Sequence, residues 1–495
     1  MSLPILLLII LALAAGLTYL VAFVWKKKND WVMTFLQNYV GILFIISGIV
    51  KAVDPLGTAY KMEDYFRAFE SLFEPTWFSF ITPIFPFFSE ISIVFSLLMI
   101  IFEIVLGIML ILGAFPKFTS WGFLLLILVF LVLTGYTYLT GYVPMDSSFW
   151  AFSEWAAFDP NNMKVTDCGC FGDFIKFAPF TSFMKDVFLM IPGLYFVIFY
   201  GKMHRLSSKT IRTSVVIVST FLLTIYCFQN YYWNLPHIDF RPFNPGVNIL
   251  ERQEAEAEAE ANVKLISWKL KSKKDGRTVD VLDENFDIAN YPVADWEYLE
   301  NVFSEPAIPH TKISDFAIED FEGNDVTREL LEYKGMSLMI IAYKMPGKAK
   351  TVNITIQDTA YRTDTVFIDE TASMVLIQNI DKIEEKEIQK TDYVWDENYL
   401  DRYINKISPF VEAASNANIK TFMVVGATEA QTIDFMKDGG PATNYYTADD
   451  ILLKTIVRSN PGLVLISNGT IIDKWHWKKF PEFDDFSRNF KFRNN

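Results

Sequence analysis

Two cysteines separated by one glycine are the residues of this sequence best suited to chemistry: Cys168-Gly169-Cys170-Phe171-Gly172. A disulfide between them would close a small ring, and a strained disulfide is reduced more easily than a relaxed one. Gly169 and Gly172 supply the backbone freedom that such a tight turn needs. The spacing favours thiol–disulfide exchange, with an incidental loop pair or half of a metal site as the alternatives.

Polar residues inside or beside apolar runs are the next candidates. Glu103 interrupts an apolar run, where an ionised side chain costs about 3 kcal/mol, so we expect it to face other helices and to be protonated or paired. Lys51 and Asp54 close the preceding run. A pairing of Lys51 with Asp54 or Glu103 would form a polar cluster that opens toward the cysteine loop. Cys227 is a candidate resolving thiol, although a free cysteine in a membrane helix often simply packs.

Each of these polar residues also has a purely structural interpretation. Lys51 can extend its ammonium to the lipid headgroups, and Glu103 can hold two helices together by a hydrogen bond. Lys185 and Asp186, at the start of a later run, are expected to mark the membrane interface. The four histidines lack ligand spacing, so no structural zinc site is expected, and neither a Walker A motif nor a GxSxG elbow is present.

The composition indicates two environments in one chain. Of its 495 residues, 51% are hydrophobic and 21% are charged, which is too apolar for one soluble domain and too charged for a membrane bundle alone. The net charge of −14 argues against nucleic-acid binding, which requires a basic face. Three cysteines are too few for a disulfide framework, so any sulfur chemistry belongs to specific thiols.

Apolar runs in the first 230 residues predict an α-helical membrane bundle of five or six spans in contact with lipid. The runs lie at about 1–23, 31–52, 91–113, 120–141, 186–200 and 213–229. The fifth run is the shortest, and Pro192 and Gly193 are expected to bend it. The first run has no basic residues before it, which indicates an uncleaved helix rather than a signal peptide. Prolines interrupt segment 56–88, which is expected to lie at the membrane interface.

The basic residues predict the orientation of the spans. Lys26 to Lys28, Lys117 and segment 202–212 fall on alternate connections, which the positive-inside rule places in the cytoplasm. The long loops at 53–90 and 142–185 then face outward, and so does the chain after the sixth run. The expected location is the bacterial inner membrane, with multiple spans and a C-terminal domain in the periplasm.

The C-terminal half reads as a linker and β-hairpin at 231–300 followed by an α/β domain at 301–495 with a polar β insertion at about 348–378. Predicted strands at 337–343, 420–426, 462–467 and 470–476 alternate with helices in the thioredoxin-like order. The segment Arg458-Ser459-Asn460-Pro461-Gly462 resembles the part of thioredoxin-like proteins that carries a cis-proline, which would be Pro461. Because the domain contains no cysteine, it cannot catalyse dithiol exchange itself, and we interpret it as a docking or structural domain.

Residues 30–205 resemble the DoxX and MauE-like membrane family. The resemblance rests on CGCFG, on the segment 48–55 containing Lys51 and Asp54, and on Glu103 followed by Gly107. The whole architecture resembles DoxX-family proteins of Bacteroidetes with an appended thioredoxin-like domain. For MauE-like proteins the resemblance implies periplasmic disulfide formation or protein maturation, and for DoxX it implies quinone-coupled oxidation of sulfur compounds. Cys168 and Cys170 match the MauE pair.

Three hypotheses follow from the sequence. In the first, the Cys168/Cys170 pair exchanges disulfides with periplasmic thiol proteins and passes electrons to a quinone or another membrane carrier, which would make the chain a membrane thiol–disulfide oxidoreductase. In the second, it is a non-enzymatic membrane-anchored protein that binds an envelope partner. In the third, it is a quinone-binding accessory subunit. Cys168, Cys170, Glu103, Lys51 and Asp54 are the expected catalytic residues.

Overall fold

The computed structural model describes residues 3–165, 169, 171–367 and 374–490. The chain divides into two compact units, Met1–Asn244 and Pro245–Asn495. The first unit is helical and the second contains mixed sheets.

Eight α-helices form the described part of the first unit. They are α1 (Leu3–Tyr19), α2 (Trp31–Val53), α3 (Pro55–Phe73), α4 (Ile84–Glu90), α5 (Ser92–Leu112), α6 (Pro116–Thr140), α7 (Pro179–Phe199) and α8 (Lys209–Phe228). Six helical segments, those built on α1, α2, α5, α6, α7 and α8, are long and apolar enough to cross a membrane. This confirms six candidate spans. Pro192 lies inside α7 without ending the helix.

Local signals in the sequence set where these helices begin and end. Asp30 caps α2, since its Oδ1 accepts a hydrogen bond from the Met33 backbone N–H at 2.9 Å. Asp54 does the same for α3, whose first residue is Pro55. Gly113 ends α5 at a φ of +65°, where a Cβ would lie only 1.7 Å from the His204 carbonyl oxygen. Only glycine fits there.

Helices α2 and α5 approach closely because glycines face each other. A Cβ on Gly107 would lie 2.7 Å from the Gly41 carbonyl oxygen, and a Cβ on Gly48 would lie 2.3 Å from the Ile104 side chain. Small residues allow such close backbone approach between membrane helices. The resulting contact brings the end of α2 against the middle of α5.

The second unit begins with a helix and a small sheet. Helix α9 (Ile249–Ala261) precedes β1 (Leu265–Ser272), β2 (Thr278–Leu282) and β3 (Trp296–Phe303), and the strands pair antiparallel in the order β2-β1-β3. Helix α9 covers the Glu-Ala repeat of the expected linker, because alanine and glutamate both favour helix and Asn248 caps its first turn. Buried Glu256 accepts hydrogen bonds from Arg252 and Thr311.

A five-stranded sheet forms the core of the rest of the second unit. The remaining elements are α10 (Thr327–Leu331), β4 (Met336–Ala342), β5 (Gly347–Phe367), β6 (Met374–Trp395), α11 (Glu397–Arg402), α12 (Ser408–Asn416), β7 (Lys420–Val425), α13 (Glu429–Asp438), β8 (Asn444–Thr447), α14 (Asp450–Ile456), β9 (Gly462–Ser467), β10 (Thr470–His476) and α15 (Phe483–Phe490). The strand order is β10-β9-β4-β7-β8. Strands β4, β7 and β8 are parallel, whereas β9 and β10 are antiparallel to their neighbours.

Residues 313–326 carry isolated bridges from Glu319 to Asp325 and to Thr447. Strand β8 pairs parallel with β7 and precedes α14. One expectation in this unit differs from the structure. The β insertion extends to Trp395 and consists of β5 paired with β6.

Candidate functional site

A buried ion pair joins α2 to α5 in the first unit. Lys51 Nζ lies 2.6 Å from Glu103 Oε2, and the two residues are 3% and 1% exposed. The ring of Phe130, on α6, lies 4.9 Å from the same ammonium, which places a cation–π contact on a desolvated charge. Of the two partners considered for Lys51, the structure thus pairs it with Glu103.

This pair is poorly explained by stability alone. Removing two charges from water costs about as much as their attraction returns, so a buried ion pair is usually no more stabilising than apolar residues of similar volume. A single unpaired charge at this depth would be far more costly. We therefore interpret the pair as part of a functional site, because charged residues inside a membrane commonly have a function.

The ion pair forms part of the wall of a small cavity. The cavity encloses about 40 Å³ and is lined by residues of α2, α3, α5, α6, α7 and the loop before α7. Its polar lining comprises Ser47, Lys51, Thr58, Lys61, Glu103, Thr134 and Lys185. Such a volume accommodates water molecules, which need roughly 10–15 Å³ each by this kind of measure.

The described residues of the CGCFG segment line this same cavity. Gly169 and Phe171 both belong to its wall, and Phe171 is buried. A Cβ on Gly169 would lie 3.4 Å from Cγ of Lys61, so the Lys61 stem packs against the loop. Cys168 and Cys170 lie outside the described residues. Gly169, which stands between the two cysteines in the sequence, thus lines the same cavity as Lys51 and Glu103.

Lys185, which lines the cavity, forms a second ion pair with Asp186, where the sequence indicated only a membrane interface. Lys185 Nζ lies 2.5 Å from Oδ1 of Asp186, and the Asp186 side chain is fully buried. The Thr134 hydroxyl of α6 lies 3.0 Å from the other carboxylate oxygen. A signal for this contact existed in the sequence, since Asp186 is an acidic residue at the start of an apolar run and Thr134 is a polar residue inside another.

The remaining predicted site residues of the first unit have other surroundings. Asp54 Oδ1 accepts a hydrogen bond from the Gly57 backbone N–H at 3.1 Å and so caps α3. Cys227, on α8, is a buried free thiol that packs in an apolar cluster with Ala52 and Ile104. It does not belong to the described lining of the cavity. Its position fits the interpretation of a packed hydrophobic residue at least as well as that of a resolving thiol.

In the second unit, the predicted cis-proline lies beside the loop after β4. The Asn460–Pro461 peptide bond is cis. Asn460 Nδ2 donates a 2.6 Å hydrogen bond to the Lys344 carbonyl oxygen, and Arg402 Nη1 donates one of 2.6 Å to the Asn460 carbonyl oxygen. One hydrogen bond thus joins the loop after β4 to the proline segment, and another joins α11 to it.

Two tyrosines lie next to this proline segment. Tyr399 and Tyr403 are buried, and their hydroxyl oxygens lie 2.9 Å apart. Burial raises the pKa of both hydroxyls above the ordinary tyrosine value, so both are neutral at physiological pH. Their arrangement serves packing around Asn460 rather than acid–base chemistry.

Part of the first unit matches a known family. Residues 29–144 match the family model of the methylamine utilisation protein MauE. This MauE-like domain contains both members of the Lys51–Glu103 pair, together with Lys61, Phe130 and Thr134. The match ends before the cysteine segment, although the resemblance was expected to reach residue 205. No curated protein and no solved structure matches the chain.

The DoxX side of the resemblance implies a quinone, and the cavity provides a test of it. An apolar cavity known to bind benzene measures roughly 150 Å³, whereas this cavity is about 40 Å³. The residues that line the cavity therefore do not fit a quinone ring.

Proposed function

We propose that the chain is a multi-pass inner-membrane protein that supports thiol–disulfide exchange through Cys168 and Cys170. The observation that carries the proposal is the cavity shared by Gly169, Phe171 and the buried Lys51–Glu103 pair. A buried ion pair that lines the same cavity as the residue between two cysteines is suited to influence the charge on sulfur.

The chemistry requires a thiolate. The reactive form of cysteine is favoured by nearby cations, and Lys51, Lys61 and Lys185 all line the cavity. In the exchange, one thiolate attacks a disulfide sulfur of the other protein, a mixed disulfide forms, and the second thiol resolves it. The chain's own disulfide is reduced when a partner dithiol is oxidised, or the reverse, so electrons balance between the two proteins.

The second unit is proposed to be a thioredoxin-like domain that binds the partner without reacting with it. The strand order β10-β9-β4-β7-β8, with β9 and β10 antiparallel to their neighbours, supports the fold. Residues 245–495 contain no cysteine, which leaves docking as the role. Its proposed location in the periplasm rests on the positive-inside pattern of the six spans and on the oxidising conditions that a disulfide requires.

The test is to trap the mixed disulfide. A Cys170→Ser variant of the full-length chain, expressed in membranes under oxidising conditions, should accumulate an adduct with a partner protein that is lost on reduction. The matched control replaces both cysteines, Cys168→Ser with Cys170→Ser, and should give no adduct. Absence of an adduct from Cys170→Ser and from the single variant Cys168→Ser would refute the exchange function.

A second function, that of a membrane-anchored interaction protein, is favoured by one specific feature. Strands β5 and β6 pair over 21 residues of β5, a length of about 70 Å at 3.3 Å per residue. Strands are usually 3–10 residues long and a lone two-stranded sheet is only marginally stable in water. A partner that pairs with its free edges would stabilise it.

The two functions make opposite predictions for one pair of variants. If the chain acts only as a scaffold, the double cysteine variant should co-purify with its envelope partner as the wild type does. Shortening the β5–β6 hairpin by equal numbers of paired residues, which preserves register, should then abolish co-purification. Loss of the partner from the double cysteine variant would instead support exchange.

A further inference from the structure

An apolar groove lies between α1 and α2, near the turn that connects the two helices. Its volume is about 480 Å³, which is within the range of roughly 300–1,000 Å³ that is typical of ligand sites in proteins. The groove is open along one side, and its lining is mostly aromatic and aliphatic: Ala15, Thr18, Tyr19, Phe23, Trp31, Val32, Phe35 and Leu36.

The groove has the length and polarity that an acyl chain requires. Ala15 and Phe23 are eight residues apart, which is about 12 Å along a helix, and half of a bilayer's hydrocarbon core is about 15 Å. The Thr18 hydroxyl is already hydrogen-bonded, since it donates to the Ala14 carbonyl oxygen and accepts from Asn38 Nδ2. The groove therefore suits a hydrocarbon chain that lies along the helices within one leaflet.

Aromatic rings and a lysine mark the end of the groove next to the connecting turn. The centre of the Phe23 ring lies 4.9 Å from that of Tyr19 and 5.7 Å from that of Trp31. Lys28 Nζ lies 4.0 Å from the centre of the Trp31 ring. Tyrosine and tryptophan are enriched where a membrane meets water. The Lys28 ammonium thus lies beside the groove at the level where a lipid headgroup would be.

Lys28 belongs to a run of three exposed lysines, Lys26 to Lys28. Lys26 reverses the chain with a φ of +50°, and the Lys27 backbone N–H donates a 2.9 Å hydrogen bond to the Val21 carbonyl oxygen. Such a run sets the orientation of a membrane helix. Orientation requires only the charge, however, and does not account for an apolar groove that ends beside it.

We propose that this groove binds one anionic glycerophospholipid, with an acyl chain between α1 and α2 and the phosphate beside Lys26, Lys27 and Lys28. Charge complementarity identifies the occupant, because lysines next to a membrane attract anionic headgroups and none of the described lining residues is acidic. The neighbouring Asp30 caps α2 and lies 3.9 Å from Lys202. The site is separate from the cavity of Lys51 and Glu103 and does not depend on the exchange function.

The experiment measures by native mass spectrometry how phosphatidylglycerol and phosphatidylcholine with the same acyl chains bind to the delipidated full-length protein. The wild type should retain one phosphatidylglycerol at concentrations at which phosphatidylcholine does not bind. The variant Lys26→Gln, Lys27→Gln, Lys28→Gln should bind phosphatidylglycerol at least about tenfold more weakly, since each lysine near an anionic lipid surface contributes roughly a factor of five in affinity.

The matched control removes three positive charges from the same end of the first unit. It is the variant Lys117→Gln, Arg205→Gln, Lys209→Gln, and the Leu206 backbone N–H, which donates to the Leu112 carbonyl oxygen, joins two of the segments that carry these residues. Its affinity for phosphatidylglycerol should equal that of the wild type. Equal losses in the two triple variants would mean that the lipid responds only to overall charge.

A second variant keeps the test valid if the loss of Lys26 to Lys28 changes how the chain inserts or folds. Ala15→Phe fills the groove, leaves every lysine in place and should weaken the binding of phosphatidylglycerol. Leu13→Phe is its control, because Leu13 is exposed on the same helix and does not belong to the described lining of the groove.

Three results would overturn the inference. They are equal binding of the two lipids by the wild type, equal losses in the two triple variants, and wild-type affinity in Ala15→Phe. Inorganic phosphate in excess should not displace the lipid, and displacement by it would also overturn the inference because it would assign the site to a free anion. The exchange function is tested separately by the mixed disulfide, so either proposal can fail without the other.

Discussion

Breaking the Lys51–Glu103 pair should destabilise the protein far more than removing the pair altogether. At 2.6 Å and an effective dielectric constant of ~20, the attraction between the two charges is about 6 kcal/mol. Much of this is offset by desolvation, so the measurable loss for Lys51→Met or Glu103→Gln is expected to be about 3–5 kcal/mol, since each leaves one buried charge unpaired. The double variant Lys51→Met, Glu103→Leu should lie within about 1 kcal/mol of the wild type.

The assay is reversible unfolding of the full chain in detergent micelles, followed together with thiol–disulfide exchange. The double variant should fold normally and yet lose most of its exchange activity, which separates stability from function. Arg67→Met provides the control, because Arg67 pairs with Asp64 at 2.9 Å on an exposed surface, where an ion pair contributes at most about 1 kcal/mol. The reasoning is refuted if each single variant costs less than 1 kcal/mol, or if the double variant is as unstable as either single one.

Three further predictions concern other parts of the chain. Lys61→Met should raise the pH at which the cysteines react with iodoacetamide by about one unit, because a cation is lost beside Gly169. Lys61→Arg keeps the cation and should leave that pH unchanged. If the two variants show the same dependence of reaction rate on pH, the electrostatic role of Lys61 is excluded. Gly107→Ala should lower the melting temperature, because a Cβ there would lie 2.7 Å from a backbone oxygen of α2, whereas Gly16→Ala, with open space around it, should be neutral or stabilising. Burial raises the pKa of Glu256, but hydrogen bonds from Ser314, Arg252 and Thr311 together outweigh it, so the pKa is lowered. The contribution of Glu256 to folding stability should therefore be complete at neutral pH. It should be lost as the pH falls below the ordinary pKa of 4.5 and through the pKa of the folded state. Glu256→Gln should remove that part of the acid sensitivity in a denaturation series, and an unchanged acid profile would contradict it.

Spanning helices are the part of this protein that sequence alone determines most firmly. The six apolar runs correspond to six helices of spanning length, because a backbone in lipid must satisfy its own hydrogen bonds and has few alternatives. The turn near Gly276 between β1 and β2 was also readable from the sequence, since alternation and turn residues act locally. The proline before Gly462 was placed by resemblance to thioredoxin-like sequences rather than by its own chemistry.

Local propensity was insufficient where a distant partner decided the conformation. Strand β8 forms at 444–447 because its backbone pairs with β7, and the hairpin of β5 and β6 extends well past the predicted insertion because each strand supplies hydrogen bonds to the other. The Glu-Ala segment could have been helix or extended tether, and contacts of Glu256 with Thr311 and Ser314 stabilise the helix.

The sequence determines which residue types are available for the site, but the tertiary structure decides which of those residues come together. From the sequence, Lys51 had two possible acidic partners, Asp54 and Glu103. The close approach of α2 and α5 at Gly41 and Gly107 selects Glu103, which lies 52 positions away. Asp186 of α7 accepts a hydrogen bond from Thr134 of α6, which lies 52 positions away. Charges inside a membrane must find partners since lipid offers none, but which partners they find depends on which helices touch.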